Sequence, residues 1–281
     1  MNIEACLYIV ATPIGNLGDI TQRAVETLNK VDLIAAEDTR HSQRLMSHLG
    51  VSTRLLSLHE HNEREKSQTI IDKIKEGQSI ALVSDAGTPL ISDPGYFLVK
   101  LAQEQGVKVV PIPGVSAVVT ALSVSGLPSD RFVFEGFLPA KSGNKQKRLD
   151  LFKFESRTVI FYESPHRIVD TLEVMLTVFG ENRRLVLARE LTKTFETIKG
   201  DSLGQLCEWV KSDANQQRGE FVLLLEGATD VPEESEVDQD KMLALLIAEL
   251  PIKKASKIVS EITGANKKDL YQRALEMQGK V

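Results

Sequence analysis

The chain has 281 residues, 42% of them hydrophobic and 26% charged, with a formal net charge of −5. That length suits about two ordinary domains, and the composition suits a folded protein with real cores rather than a disordered chain. The negative total excludes whole-molecule attraction to polyanions, so any nucleic-acid contact must come from local basic patches.

The first residues, MNIEACLYIVATPIGN, have no basic region and only a short apolar stretch, so a secretory signal is not expected. Leu7–Val10 reads as a strand followed by the loop Thr12-Pro13-Ile14-Gly15-Asn16, and Ile20–Lys30 has helical spacing. Val31–Ala36 is β-compatible and ends in Glu37-Asp38-Thr39-Arg40; Leu55–Leu58 is a short apolar run. Thr69–Glu76 is amphipathic and stops at Gly77. Ser79–Val83 is a strand running into Ser-Asp-Ala-Gly-Thr-Pro and a second turn, Ser92-Asp93-Pro94-Gly95. A helix over Tyr96–Gln105 precedes a strand over Val107–Ile112. The charge-free stretch from Val109 to Ser129 carries Pro111, Pro113, Gly114, Gly126 and Pro128. Its helical part is too short to cross a bilayer, so it reads as a buried strand, turn and helix. Strands alternating with helices predict a parallel sheet covered on both faces.

Beyond Leu127-Pro128 the style changes. Arg157–Glu163, Arg184–Glu190, Thr194–Lys199 and Gly219–Glu226 are strand-like, with helices over His166–Val178 and Leu203–Lys211, and the short Arg189–Lys193 connection predicts a mixed sheet. Thr229–Asp240 holds six acids and no base and reads as a linker. Helices over Lys241–Leu250, Ala255–Ile262 and Lys268–Glu276 follow, the last two joined across Thr263-Gly264-Ala265 with a helix-turn-helix look. The expected segments are therefore 1–127, 128–228, a linker at 229–240 and a helical module at 241–281.

Three loops of the first segment, Thr12–Asn16, Ser84–Leu90 and Pro113–Ala117, each follow a strand's carboxyl end, where open parallel sheets bind ligands. Gly15, Gly87 and Gly114 would let the backbone approach a ligand, and Pro13, Pro89 and Pro113 would fix the loop shapes. No dinucleotide or P-loop fingerprint occurs, and no lysine sits in these loops. Backbone amides with the hydroxyls of Thr12, Ser84, Thr88 and Ser116 suit a polar ligand of little net charge.

The stretches TPIGNLGDIT, AAEDTRHS, LVSDAGTPLISDPG, PIPGVSAVVTAL, LPSDRFVFEGFLPAK, FYESPHR and ARELTKTFET resemble the bacterial ribosomal RNA small subunit methyltransferase I family, part of the tetrapyrrole methylase superfamily. The resemblance covers nearly the whole chain. It implies two α/β lobes of the tetrapyrrole methylase type with S-adenosylmethionine in the inter-lobe cleft, and a small C-terminal helical module. It implies 2'-O-ribose methylation of a decoding-centre cytidine in 16S rRNA within the small ribosomal subunit, by a cytoplasmic homodimer. The donor would be met by Pro13 and Gly15, by Ser84, Gly87, Thr88, Pro89, Leu90 and Ile91, and by Gly114, Val115, Ser116 and Ala117. The second lobe would add Tyr162, Ala188, Glu220 and Phe221. The chain departs from many superfamily members in having Gly87-Thr88-Pro89 where they have Gly-Asp-Pro.

Methyl transfer from a sulfonium rests mainly on alignment, helped by a base or cation near the weakly acidic hydroxyl. Asp38, Arg40 and Glu190 are the leading catalytic candidates, with Glu37, Glu163, His166 and Lys193 behind them. Bland roles stand beside these: a helix cap or ion pair for Asp38 and Arg40, a helix start for His166, a cleft-edge charge for Glu190 and Lys193. His59-Glu60-His61 lacks a third metal ligand nearby and reads as a solvated loop. Lys141, Lys145, Lys147 and Arg148 form an acid-free basic run, and Lys253, Lys254, Lys267 and Lys268 lie in a basic tail, so both are expected to contact RNA phosphates. The rival readings are a methyltransferase acting on a tetrapyrrole and a non-catalytic RNA-binding assembly factor.

Overall fold

The computed structural model describes residues 3–229 and 239–278. The expected acidic linker thus lies, at 230–238, outside the described residues.

The first sheet comes from five short strands alternating with helices. Its elements are β1 (Leu7–Val10), α1 (Gln22–Lys30), β2 (Leu33–Ala36), α2 (Thr39–His48), β3 (Leu55–Ser57), α3 (Glu63–Lys75), β4 (Ile80–Val83), α4 (Tyr96–Glu104), β5 (Val109–Ile112) and α5 (Ala117–Ser125). The strands run in the order β3-β2-β4-β1-β5, every pair parallel. Both faces are covered by separate apolar clusters, one around Tyr8, Leu28, Ile34 and Met46, the other around Leu7, Ile70, Ile80 and Leu98. Full burial explains why β4 is apolar throughout, since a strand with no wet face has no reason to alternate.

Local chemistry sets the element ends. Thr21 caps α1 through the amide of Ala24, and Asp38 caps α2 by accepting from the amide of Arg40 at 2.8 Å. The buried Glu63 does the same at a distance: its Oε1 accepts from the amides of Gly95, Phe97 and Leu98 at 3.1, 2.7 and 3.1 Å. It thereby fixes the Ser92–Gly95 turn against α3 and satisfies two of the orphan donors of α4.

The second sheet follows after Ser125. It comprises β6 (Phe132–Phe137), α6 (Ser142–Asp150), β7 (Thr158–Glu163), α7 (Ile168–Phe179), β8 (Arg184–Arg189), β9 (Thr197–Ser202), α8 (Leu203–Ser212) and β10 (Phe221–Leu225). Its order is β6-β7-β10-β8-β9, with β6 parallel to β7 and the other pairs antiparallel, so the sheet is mixed as expected. One face packs Phe161, Leu187, Leu223 and the helices α7 and α8. The other carries Ile160, Val186, Ala188, Val222 and Leu224 against Val118, Ala121 and Leu122 of α5. Helix α5 therefore joins the two sheets through a shared apolar layer, each large buried aliphatic contributing about 1.5–3 kcal/mol. Both sheets belong to one compact body that ends at Gly227.

Three elements escape the sequence reading: α2, β6 and α6. The last overturns an expectation. Lys145 is not a surface residue of a basic loop. Its side chain is wholly buried on the inner face of α6, where the ammonium donates to Asp170 Oδ2 and to Thr171 Oγ1 at 2.8 Å. It is therefore withdrawn from the RNA-facing set. Arg148 is partly spent as well, paired in fork geometry with Glu135, with Nη2 to Oε2 at 2.8 Å. Lys141 and Lys147 stay exposed.

A second compact unit begins at Ala228. It holds α9 (Gln239–Glu249), α10 (Ile252–Thr263) and α11 (Lys267–Met277), closed around Leu243, Val259, Leu270 and Ala274. Gly264 ends α10 in the left-handed region at φ 72°, and Asn266 caps α11 through the amide of Lys268 at 2.9 Å. Lys253, Lys254, Lys267 and Lys268 are all exposed.

Candidate active site

Strands β4, β1 and β5 are neighbours, so their three carboxyl-end loops lie side by side. They are also stitched together. Thr12 and Gly87 exchange two backbone hydrogen bonds, with N to O distances of 2.8 and 3.0 Å. Thr88 Oγ1 donates to the carbonyl of Val115 at 2.9 Å. Thr88, the residue that departs from the superfamily pattern, thus ties the second loop to the third. Leu90 and Ser92 hold φ values of 73° and 67°, a costly conformation for side-chain-bearing residues that clusters at functional sites.

A cavity of about 350 Å³ opens where these loops face the second sheet. The first sheet's loops contribute Ile14, Ala86, Gly87, Thr88, Ile91, Ser92, Asp93, Ser116 and Ala117 to it. The second contributes Phe137, Tyr162, Glu163, Ser164, Pro165, Leu191, Lys193, Glu220, Phe221 and Val222. Of the expected donor contacts, Gly87, Thr88, Ile91, Ser116, Ala117, Tyr162, Glu220 and Phe221 reach the wall.

The others stand behind it. The Ser84 carbonyl accepts from Thr12 Oγ1 at 3.3 Å, and Leu90 packs into the α3–α4 core. Gly114 sits where a Cβ would come within 2.8 Å of the Ala11 Cβ. Pro13, Pro89 and Val115 belong to the loops but not to the lining. Ala188 corrects the expectation most clearly: it is fully buried in the layer between α5 and the second sheet.

Asp38 and Arg40 do not reach the cavity either. Asp38 is the cap of α2, and the Arg40 side chain, 92% exposed, borders a separate polar hollow with Gln43, Thr53 and Arg54. His166 is exposed ahead of α7 and does not line the wall.

Charge at the site is distributed unevenly. Burial, with Asp85 close by, pushes the Asp93 carboxyl up to about 6 despite a hydrogen bond with Ser84. Burial, followed by the repulsion of Asp93 and Asp85, raises Glu37 to about 7. Tyr162, packed edge-on against Phe134 and Phe137, is pushed to about 12 by burial and by Asp93. Glu163 is held differently: it accepts from the Ser164 amide at 2.8 Å and from Thr171 Oγ1 at 2.6 Å. Arg167 stands 3.2 Å away as an ion pair whose Nε–H is not aimed at the carboxylate. Since Thr171 also accepts from Lys145, a buried chain of polar groups runs from α6 to the cavity wall.

The Glu37 shift gives a stability test. A carboxyl whose folded value lies above its ordinary 4.5 contributes full stability below that value and loses it as pH rises through about 7. Glu37→Gln should therefore melt at a higher temperature than wild type at pH 8, and the gain should vanish near pH 4. Calorimetric melts at both pH values measure this.

Among the described residues the single cation on the lining is Lys193, whose Nζ donates to Glu190 Oε1 at 2.8 Å and to Glu220 Oε2 at 2.7 Å. Partial burial opposes its charge, but these two hydrogen bonds outweigh it and hold the ammonium above its ordinary value. Glu190 itself is off the lining. Partial burial raises it, but the Lys193 bond and the Glu220 amide prevail and keep it below the usual carboxylate range. Sequence reasoning did not single out Ile14, Ala86, Phe137, Ser164, Pro165, Leu191 and Val222: all but Val222 lie in the stretches that carry the resemblance, but none bears a charge or a side chain that marks it for the site. Ser92 and Asp93 read in the sequence only as part of a second turn.

Residues 6–207 match the family model described as Tetrapyrrole (Corrin/Porphyrin) Methylases, and residues 233–278 match the RsmI C-terminal HTH domain. The chain is 57% identical to ribosomal RNA small subunit methyltransferase I of Escherichia coli O157:H7, over 99% of this chain and 97% of that protein. It is 58% identical to the protein of that name from Vibrio cholerae serotype O1, over 97% and 95%. Among solved structures, diphthine synthase superposes with a TM-score of 0.59 at 18% identity, covering 78% of this chain and 89% of that one. A uroporphyrin-III C-methyltransferase from Thermus thermophilus, complexed with S-adenosyl homocysteine, gives 0.55 at 16% identity, covering 79% and 97%. These last two likenesses speak for the fold.

Proposed function

The chain belongs to the tetrapyrrole methylase family, in its ribosomal RNA small subunit methyltransferase I branch, and from that premise we propose that it methylates the ribose 2'-hydroxyl of a decoding-centre cytidine in 16S rRNA, using S-adenosylmethionine. The observation that carries this reading is the cavity. Its volume of about 350 Å³ falls in the range of small-molecule sites. Its charged lining is Asp93, Glu163 and Glu220 against one lysine, a balance suited to a ligand bearing a sulfonium and an ammonium. Ile14, Ala117, Leu191 and Val222 would hold the donor's apolar surface, and the main chain of Thr88 with the hydroxyls of Ser92 and Ser116 its polar edges.

When bound, the donor supplies an already activated methyl group. The chain's share is then to align the acceptor, exclude water and stabilise the charge that develops on the attacking oxygen. Phosphate contact falls to exposed cations: Lys141 just before α6, Lys147 on it, and Lys253, Lys254, Lys267 and Lys268 in the helical module. Such binding weakens steeply with salt. We place the protein in the cytoplasm as a homodimer. Among the described residues no helix is long and apolar enough to cross a membrane.

The test is incubation of methyl-labelled S-adenosylmethionine with purified protein and small ribosomal subunits, followed by mapping of the labelled nucleotide. One label per subunit on a cytidine ribose is the expected result. Label on a base, label on an added tetrapyrrole instead of RNA, or none at all overturns the assignment.

A further inference from the structure

Lys193 is placed at considerable structural cost. Two residues of its loop, Glu190 and Thr192, adopt positive φ values of 53° and 66° without being glycine. For a β-branched threonine that region is strongly disfavoured. Two glycines from different parts of the chain make room for the assembly. A Cβ on Gly15 would fall 2.5 Å from Lys193 Cγ, and one on Gly219 would fall 2.4 Å from Glu190 Cγ. Strain and cleared space of this kind collect where a side chain is held for use.

The hydrogen-bond count points the same way. An ammonium has three donors. Among the described residues, Glu190 takes one and Glu220 a second, which leaves a third for a ligand in the cavity that Lys193 lines. Both lysine partners are acids, so the group stays charged and cannot act as a base. Glu220, whose side chain is 77% exposed, stands 2.7 Å from it on the same wall. A donor and an acceptor side by side match what a hydroxyl presents: an oxygen that accepts and a proton that must leave.

We propose that Lys193 and Glu220 are catalytic residues that receive the acceptor ribose hydroxyl, and that Glu190 is a positioning residue that fixes Lys193; this rests on the methyltransferase reading above. The hydroxyl oxygen accepts from the third N–H of Lys193 and directs its own hydrogen to a Glu220 carboxylate oxygen. As a lone pair of that oxygen forms the bond to the methyl carbon, the carbon–sulfur bond breaks and its electron pair stays on sulfur, leaving a neutral thioether. The hydroxyl proton passes to Glu220, and from that exposed carboxylate to water. Lys193 keeps its own proton throughout and stabilises the negative charge growing on oxygen.

The experiment uses the full chain with small ribosomal subunits, comparing wild type with Lys193→Met, Lys193→Arg, Glu190→Gln and Glu220→Gln. Donor and S-adenosylhomocysteine affinities are read by calorimetry and methyl transfer by single turnover. Lys193→Met should keep both affinities within about threefold and lose about 10²–10³ in rate, the usual effect of one lost donor to a developing oxyanion. Lys193→Arg should recover part of that loss. Glu190→Gln should slow transfer by less than Lys193→Met, without moving donor affinity. Glu220, being exposed, can be changed without unfolding risk, and Glu220→Gln should slow transfer about tenfold or more. A Lys193→Met rate within threefold of wild type overturns the proposal. So does a loss of donor affinity equal to the loss of rate, which would assign Lys193 to the donor's carboxylate. Full Glu220→Gln activity removes the proton route. If wild type itself transfers no methyl group to the subunit, the reaction assignment fails instead.

Discussion

Gly87→Val should bind S-adenosylmethionine about 10- to 100-fold more weakly than wild type while remaining folded, as read by calorimetry alongside a thermal melt. Gly87 sits at φ 77°, and a side chain there would place its Cβ 3.3 Å from Ile14 Cγ2. Holding a β-branched residue in that conformation costs roughly 1–3 kcal/mol, and each 1.4 kcal/mol is tenfold in affinity. The residue is clasped to Thr12 from both sides, so the strain has one outlet: the second loop must part from the first. Parting them displaces Ile14 and Thr88, both on the cavity wall. A folded Gly87→Val with undiminished affinity would mean that the donor binds elsewhere.

Lys145→Ala is expected to destabilise the protein by about 2–4 kcal/mol in urea unfolding. It removes a fully buried stem and leaves Thr171 without its lysine partner. The loss stays at or below the usual range for breaking a buried pair because Asp170, 55% exposed, can recover water. Lys145→Met retains the stem and should regain about half of that stability. Folded Lys145→Met should bind small subunits as wild type does, whereas Lys141→Ala with Lys147→Ala should weaken binding and flatten its salt dependence. Equal effects of the two changes on subunit binding would return Lys145 to the RNA surface.

The same lysine shows why part of the fold was hidden in the sequence. Helix α6 buries only Lys145 and Leu149, one turn apart, and its first turn is Ser-Gly-Asn. Half of its apolar stripe is therefore a lysine stem, and no hydrophobic period exists to be read. Helix α2 is obscured likewise, burying only Ser42 and Met46. Strand β6 loses its alternation at a register shift between Phe134 and Gly136. By contrast the parallel sheet was legible, because its inner strands β1, β2 and β4 are largely buried and apolar, and a loop with glycine and proline follows β1, β4 and β5.

At the site, the three glycine-bent loops could be read from the sequence, since backbone approach leaves a composition mark. Their neighbours across the cavity could not. Phe137, Leu191 and Val222 look like any core residues until the second sheet turns them toward the first. The catalytic expectation erred at Asp38 for a related reason: an acidic residue before a helix has the same sequence signature whether it caps the helix or serves chemistry.

Gly15 and Lys193 are nearly 180 positions apart, yet one exists in the shape left by the other. Their evolutionary histories should therefore be coupled: a lineage that acquires any larger residue at 15 must shorten or redirect 193 in the same step. Random pairwise libraries at the two positions, selected for stable protein, should return glycine at 15 wherever a long side chain is kept at 193, and a freer choice wherever it is not.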